Sequence, residues 1–154
     1  RRRQELLRGQ EMLAARQAEE AKAHFAALAA EFRTDKTIKG EIGDIYLRAE
    51  FYEEAFEYLS QALEETPESI HLYNRVGIAL RKLGRFDTAE KYYNKALEYA
   101  PKDPNLWFNL GRLYVDWRKW SKVEETARKA LECNPNFQEA QKMLAFAQKK
   151  IGSS

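Results

Sequence analysis

A spacing of 34 residues recurs along this chain and restricts its fold more than any other feature. Prolines stand at Pro67, Pro101 and Pro135. Three further sets of residues repeat at the same step: Gly43, Gly77 and Gly111; Tyr52, Phe86 and Trp120; and Ala62-Leu63, Ala96-Leu97 and Ala130-Leu131. A fixed period of this length is typical of a repeat protein, in which each unit buries its apolar face against its neighbours.

Each unit is predicted to contain two amphipathic helices, because two of its segments have apolar residues at i, i+3, i+4 and i+7. A glycine within a helix costs about 0.5–1 kcal/mol relative to alanine. We therefore expect the repeated glycines where the partner helix approaches closely. Gly84 is predicted to end a helix in the left-handed conformation. Asp87 and Ser121 are predicted to cap the helices that follow.

The third unit carries the repeated pattern most fully, with Trp107, Leu110, Gly111, Tyr114, Ala130 and Pro135. On these residues the chain resembles the tetratricopeptide repeat (TPR) family. Lys39 departs from the family's opening aromatic in the first unit, and Val123 from its mid-unit alanine in the third, and both lie within the family's tolerance. The resemblance implies an all-α fold, a right-handed superhelical solenoid of antiparallel helix pairs with a C-terminal capping helix.

On this pattern, residues 1–154 are predicted to form a single TPR domain with repeats at 36–69, 70–103 and 104–137. A capping helix is predicted over 138–151, and Lys142, Gln148, Lys149 and Lys150 are predicted on its solvated outer face. Within residues 1–35, Gly9 and Phe25 are in register with Gly43 and Leu59, which favours a degenerate repeat of two helices. Residues 10–32 contain neither Gly nor Pro, so a single long helix is an alternative that the sequence leaves open.

Charge and composition bear on partners and location. The net charge of the chain is only +2, whereas residues 1–16 alone carry a net charge of +3. We interpret this basic segment as a solvated helix end or a linker from an upstream domain. No nucleic-acid partner is expected from so small a net charge. No run of 18 apolar residues is present, so no membrane insertion is expected. Cys133 is the only cysteine, which fits a cytoplasmic location.

No arrangement of residues indicates catalysis. The two histidines, His24 and His71, are far apart in sequence, and with Cys133 they make no metal-ligand spacing. The glycines are isolated within helices and form no phosphate loop. The sequence therefore predicts no catalytic, cofactor or metal site, and we do not expect an enzyme.

The resemblance implies that a partner peptide lies in a concave groove lined by the first helices of the units. The predicted contacts are His71, Asn74, Ile78, Arg81, Phe108, Asn109 and Arg112. Ile78 and Phe108 are the apolar anchors within a polar rim, although packing of Phe108 on the N-terminal segment stays open. One TPR subset grips the C-terminal carboxylate of heat-shock chaperones. Asp44 occupies a matching place here and would repel a carboxylate, so no such clamp is predicted.

The leading interpretation is a non-catalytic protein–protein interaction scaffold. Two alternatives stay open: the C-terminal TPR module of a larger bacterial signalling (receiver-domain) protein, or a secretion-type TPR chaperone. The chain begins with Arg1 and not with Met, which gives the first alternative weak support. The sequence also leaves open whether the chain forms a homo-oligomer.

Overall fold

The computed structural model describes residues 1–153, and every regular element in that range is a helix. The helices are α1 (Arg2–Ala14), α2 (Ala18–Glu31), α3 (Ile38–Arg48), α4 (Tyr52–Glu65), α5 (Ile70–Lys82), α6 (Phe86–Tyr99), α7 (Pro104–Asp116), α8 (Trp120–Cys133) and α9 (Gln138–Gly152). The prediction of an all-α helical repeat fold is confirmed. Within the described residues, none of these helices has both the length and the apolar character needed to cross a bilayer.

The helix bounds repeat the 34-residue step of the sequence. The second helices α2, α4, α6 and α8 begin at residues 18, 52, 86 and 120, and each has 14 residues. Residues 1–35 therefore hold two helices in register with the other pairs, rather than one long helix. A Cβ atom added to Gly9 would overlap the Phe25 ring, so α1 and α2 approach each other closely.

The chain divides into two compact units, Arg1–Ala79 and Leu80 to the end of the described residues, with the division inside α5. In the first unit α1 packs on α2, α3 packs on α4, and α3 also contacts α1 and α2. In the second unit α7 packs on α6 and α8, and α8 packs on α9. The single-domain boundaries drawn from the sequence stay a prediction.

The N-terminal arginines are engaged within the first unit. The Arg2 guanidinium bonds to Thr37 Oγ1 at 2.8 Å and pairs with Asp35 and Glu41. The hydrogen bonds from Thr37 to Asp35 lower the pKa of the Asp35 carboxyl, although burial opposes them. Arg1 pairs with Glu31 at 2.8 Å. The sequence interpretation placed the N-terminal charges in solvent. Arg2 instead holds α1 against the start of α3, and Arg1 holds it against the end of α2.

Four turns between the helices of a pair share one geometry. The residues at positive φ are Arg16 (61°), Glu50 (67°), Gly84 (77°) and Arg118 (59°), again 34 residues apart. In each turn the next N–H donates to the carbonyl five residues earlier, as in Gln17 to Met12 at 2.8 Å and Lys119 to Tyr114 at 2.9 Å. This is the Schellman motif. The prediction for Gly84 is confirmed, and three turns adopt the same conformation without glycine.

The predicted caps are wrong. Helix α6 begins at Phe86 and α8 at Trp120, so Arg85 and Lys119 hold the N-cap positions and neither provides a side-chain cap. The Schellman turn fixes where the chain leaves the preceding helix, and it places the aromatic residue at the first helical position. Asp87 thus lies in the first turn, where its charge favours the helix N-terminus.

A second recurring contact closes the turn between successive pairs. Tyr73 Oη donates to the Pro67 carbonyl at 2.8 Å, Trp107 Nε1 to that of Pro101 at 2.8 Å, and Gln141 Nε2 to that of Pro135 at 2.9 Å. The side chain must therefore be long and carry a donor, which an aromatic residue with a polar tip supplies. Lys39 occupies this position in the first repeat and pairs instead with Glu65 at 3.5 Å.

Two glycines of α3 give a matched test of close helix packing. A Cβ atom on Gly43 would lie 2.6 Å from Leu59 Cγ, whereas one on Gly40 would lie 3.5 Å from Leu72 Cδ2, an ordinary contact. We expect Gly43→Ala to lower the free energy of unfolding by about 1–3 kcal/mol through overpacking. Gly40→Ala should leave it unchanged or raise it by up to ~1 kcal/mol. Urea unfolding followed by circular dichroism measures both, and equal effects would contradict this packing.

The turn geometry predicts a stabilising substitution at Glu50. A side chain in the left-handed region costs roughly 1–2 kcal/mol, and glycine removes that cost while increasing the entropy of the unfolded chain. We expect Glu50→Gly to raise the free energy of unfolding by roughly 0.5–1 kcal/mol. Glu50→Ala keeps the strain and should bring no gain, and Gly84→Ala should be destabilising. A gain in the alanine variant equal to that in the glycine variant would assign the effect to the Glu50 side chain instead.

Candidate functional site

The second unit has an open cavity of about 500 Å³ between α7 and α9, which we call the apolar groove. Its apolar lining consists of Phe108, Val115, Met143 and Phe146. Its polar lining consists of Arg81, Arg112, Asp116, Glu139 and Lys142. Apolar side chains with charged groups around them form the kind of surface that holds an extended segment of a partner protein.

Helix periodicity brings these side chains together. Phe108 and Arg112 are one turn apart on α7, so they share a face, and the Arg112 guanidinium lies 6.0 Å from the centre of the Phe108 ring. The Phe108 ring packs 5.0 Å from that of Phe137, just before α9. Phe108 is therefore half-buried by its own unit and still lines the groove.

A second cavity of about 500 Å³ adjoins the first, and we call it the basic notch. It shares Arg81, Val115, Asp116 and Phe146 with the apolar groove. The residues found only in the notch are Lys82, Gly84, Phe86, Arg118, Trp120 and Lys150. They lie where α5, α7 and α9 end and where α6 and α8 begin, so the Schellman turns place Gly84 and Arg118 in its wall.

Arg81 forms the common wall of both cavities. Its side chain is 8% exposed, and Nη1 donates to Asp116 Oδ2 at 2.9 Å, whereas Nε has no hydrogen-bond partner. Tyr93 is fully buried close by, and its hydroxyl interacts with the Arg81 side chain. Burial raises the pKa of Tyr93 to about 12, and the positive charge of Arg81 opposes the shift. The base of the notch is therefore a buried guanidinium paired with a single carboxylate.

Aromatic rings form the rest of the notch wall. Phe146 is 44% exposed, and its ring meets that of Trp120 edge-on at 5.5 Å. Lys150 Nζ lies 5.6 Å from the Trp120 ring centre and 5.4 Å from that of Phe146, a cation–π arrangement. Trp117, on the neighbouring edge, stacks on Tyr114 at 6.3 Å. An exposed aromatic ring with a cation over it offers a partner both apolar area and positive charge.

The sequence of the chain matches a family model described as the tetratricopeptide repeat over residues 37–102 and 68–136. Together these matches cover well over half of the chain. The chain belongs to the tetratricopeptide repeat family. No curated protein matches it in sequence.

Solved TPR structures share the fold at low sequence identity. The first TPR domain of Spaghetti (RPAP3), bound to an HSP90 peptide, is 20% identical, with a TM-score of 0.72 over 77% of this chain and 94% of that one. A MamA structure from Desulfovibrio magneticus RS-1 is 20% identical, with a TM-score of 0.78 over 98% and 85%. The Sgt2 TPR domain from Aspergillus fumigatus is 20% identical, with a TM-score of 0.71 over 77% and 80%.

The site residues predicted from the TPR pattern fall in both units. Arg81, Phe108 and Arg112 line the apolar groove of the second unit, and Asn109 is half-buried on α7 outside its lining. In the first unit, Asn74 and Ile78 are half-buried on α5. The prediction that all seven contact a partner stays a prediction.

His71 lines a separate cavity of about 250 Å³ in the first unit, together with Gly40 and Asp44. Asp44 lies 3.5 Å from His71 Nε2 and 3.7 Å from Arg75 Nε. The carboxylate that would repel a chaperone C-terminus is thus held by two neighbours on α5. Among residues 1–153, no three His, Cys, Asp or Glu side chains are placed to hold a metal ion.

Sequence reasoning missed the contribution of α9. Phe146 follows Asp44, Ile78 and Arg112 at the 34-residue step, and Lys142 follows Phe108. Continuing the groove positions into the last helix would have found both. The prediction of a solvated outer face on α9 is correct for Gln148 and Lys149, which are exposed and line neither cavity. Lys142 and Lys150 are exposed as well, but they also line the groove and the notch, respectively.

Buried tyrosine predicts a loss of stability at alkaline pH. In the unfolded chain Tyr93 ionises near its ordinary pKa of 10, whereas in the folded chain it stays neutral up to about 12. The unfolded state therefore binds fewer protons above pH 10, and stability falls as the pH rises. We expect Tyr93→Phe to cost about 1–2 kcal/mol at pH 7, since it removes the interaction of the hydroxyl with Arg81. Relative to the unsubstituted protein it should gain about 2–3 kcal/mol by pH 12. Urea unfolding between pH 7 and 12 measures this difference, and parallel profiles would contradict it.

Proposed function

We propose that this TPR chain is a protein–protein interaction module that binds an extended segment of a partner in the apolar groove, with no catalytic step of its own. The observation that carries the proposal is an open cavity lined by Phe108, Met143 and Phe146, which the rest of the second unit leaves uncovered. Its Phe and Met side chains, Arg112 and a polar rim match the composition of protein–protein interfaces, which are enriched in aromatic residues, Met and Arg.

The comparisons support the general class of function. The similar RPAP3 domain holds an HSP90 peptide, and at 20% identity the likeness concerns the fold. We do not propose the chaperone C-terminus as the partner here, because Asp44 occupies a place that matches the clamp, and its negative charge would repel a carboxylate. The groove residues of the second unit are instead the ones to which we assign the binding.

Selection from a random 12-residue peptide library on the whole chain tests the proposal. Enriched peptides should bind with micromolar dissociation constants in fluorescence anisotropy. Phe146→Ala should weaken that binding by about tenfold or more, since it removes an exposed aromatic anchor. Its ring is 44% exposed, so the substitution should preserve the fold, and circular dichroism verifies this.

Tyr99→Ala is the matched control, because Tyr99 is 48% exposed on α6 and lines neither cavity of the second unit. It should leave peptide affinity unchanged. Failure to enrich any peptide, or equal losses in the Phe146 and Tyr99 variants, would overturn the assignment of the groove.

A further inference from the structure

We propose that the basic notch is an anion subsite that receives acidic side chains of the partner segment whose apolar anchor lies in the apolar groove. The inference rests on the proposed function and specifies the chemistry of the partner. The two cavities share Phe146, Val115 and the pair of Arg81 with Asp116, so one extended segment passes from one cavity to the other. The partner is therefore a peptide with an apolar residue followed or preceded by Asp or Glu.

The charges around the notch favour an anion. Its lining contains four cationic side chains, Arg81, Lys82, Arg118 and Lys150, and one carboxylate, Asp116, which Arg81 already engages at 2.9 Å. Three cations thus face the cavity without a carboxylate of the notch lining to neutralise them. Opposite charge across an interface speeds association and selects among partners.

The buried guanidinium is the second observation that points to an anion. Arg81 has five N–H donors, its side chain is 8% exposed, and Nη1 donates to Asp116 at 2.9 Å. Asp116 engages one of these donors, so the guanidinium retains donors for a second acceptor in the cavity. The same burial fixes the position of Arg81, so little conformational entropy is lost when the anion binds.

The form of the site favours a peptide over other polyanions. The notch is a concave cavity of about 500 Å³ joined to an apolar one, whereas a membrane surface or a nucleic-acid backbone is contacted by an extended basic face. The chain as a whole carries only +2. The positive charge is therefore local, and its scale matches one or two carboxylates beside an apolar anchor.

The test is the same library selection, performed in parallel on the unsubstituted chain and on Arg118→Glu/Lys150→Glu, both exposed positions of the notch. The unsubstituted chain should enrich peptides that join an apolar residue to Asp or Glu. The double variant should lose the acidic preference while still selecting the apolar residue. For a single enriched peptide, replacing Glu by Gln should weaken binding about tenfold at 50 mM salt, and by less at 0.5 M, where screening is stronger.

Lys102→Glu is the control for charge reversal. Lys102 is exposed just before α7, and the 13 residues of α7 put it roughly 20 Å from the notch residues at the other end of that helix. It should keep the acidic preference. If Lys102→Glu abolishes the preference as well, general attraction between net charges explains it and the notch is not the subsite.

The remaining outcomes separate the two proposals. Enriched peptides that carry apolar residues without acidic ones, and that bind less tightly to Phe146→Ala, would overturn the anion subsite and leave the interaction function standing. Absence of any enriched peptide would overturn both. The anion subsite would also be overturned if a 12-nucleotide single-stranded RNA or phosphatidylserine vesicles bind through Arg118 and Lys150 while no acidic peptide binds.

Discussion

Close approach of paired helices is the constraint on which the rest of this structure depends. In the first unit a Cβ on Gly43 would lie 2.6 Å from Leu59 Cγ on the paired helix α4. In the second unit a Cβ on Gly111 would lie 3.0 Å from Thr126 Oγ1 on the paired helix α8 and 2.5 Å from Met143 Sδ on α9. Small residues at these points let large side chains of the neighbouring helix pack against the backbone. The position of each glycine then sets which face of its helix is buried, and the 34-residue step repeats that face along the chain.

Burial of one face determines which residues are free to vary. The positions one residue beyond the repeated glycines carry Asp44, Ile78 and Arg112, and the same step leads to Phe146. No packing role requires one chemistry there, because these side chains are intermediate or exposed. Within the second unit this row gives one cation and one aromatic ring, and both line the apolar groove. The repeat scaffold thus sets the position of a binding side chain, and the residue type at that position sets its charge and polarity.

Much of the fold could be predicted from the sequence, because the residues that repeat every 34 positions serve mainly to pack one helix against another. Gly84 in the left-handed region followed directly from its place after a helix. The same turn at Arg16, Glu50 and Arg118 could not be read from residue type, since only the tertiary context imposes that conformation on a side chain. The predicted caps fall two residues late for a related reason: the turn, and not the polar residue, determines where α6 and α8 begin.

The candidate site was only partly predictable because α9 serves two purposes. As the last helix it has no following helix within residues 1–153 to cover Ala145 and Gln148, which are exposed, and lysines suit such a surface. Lys142 and Lys150 nevertheless lie toward the groove and the notch, and Lys150 stands over the rings of Trp120 and Phe146. Residue type alone cannot separate a lysine that solvates the last helix from one that lines a binding cavity, since lysine suits both roles. The separation depends on the angle around the helix: residues four apart share a face, so Lys150 belongs with Phe146 and Lys142, while Gln148, two residues from both Phe146 and Lys150, faces elsewhere.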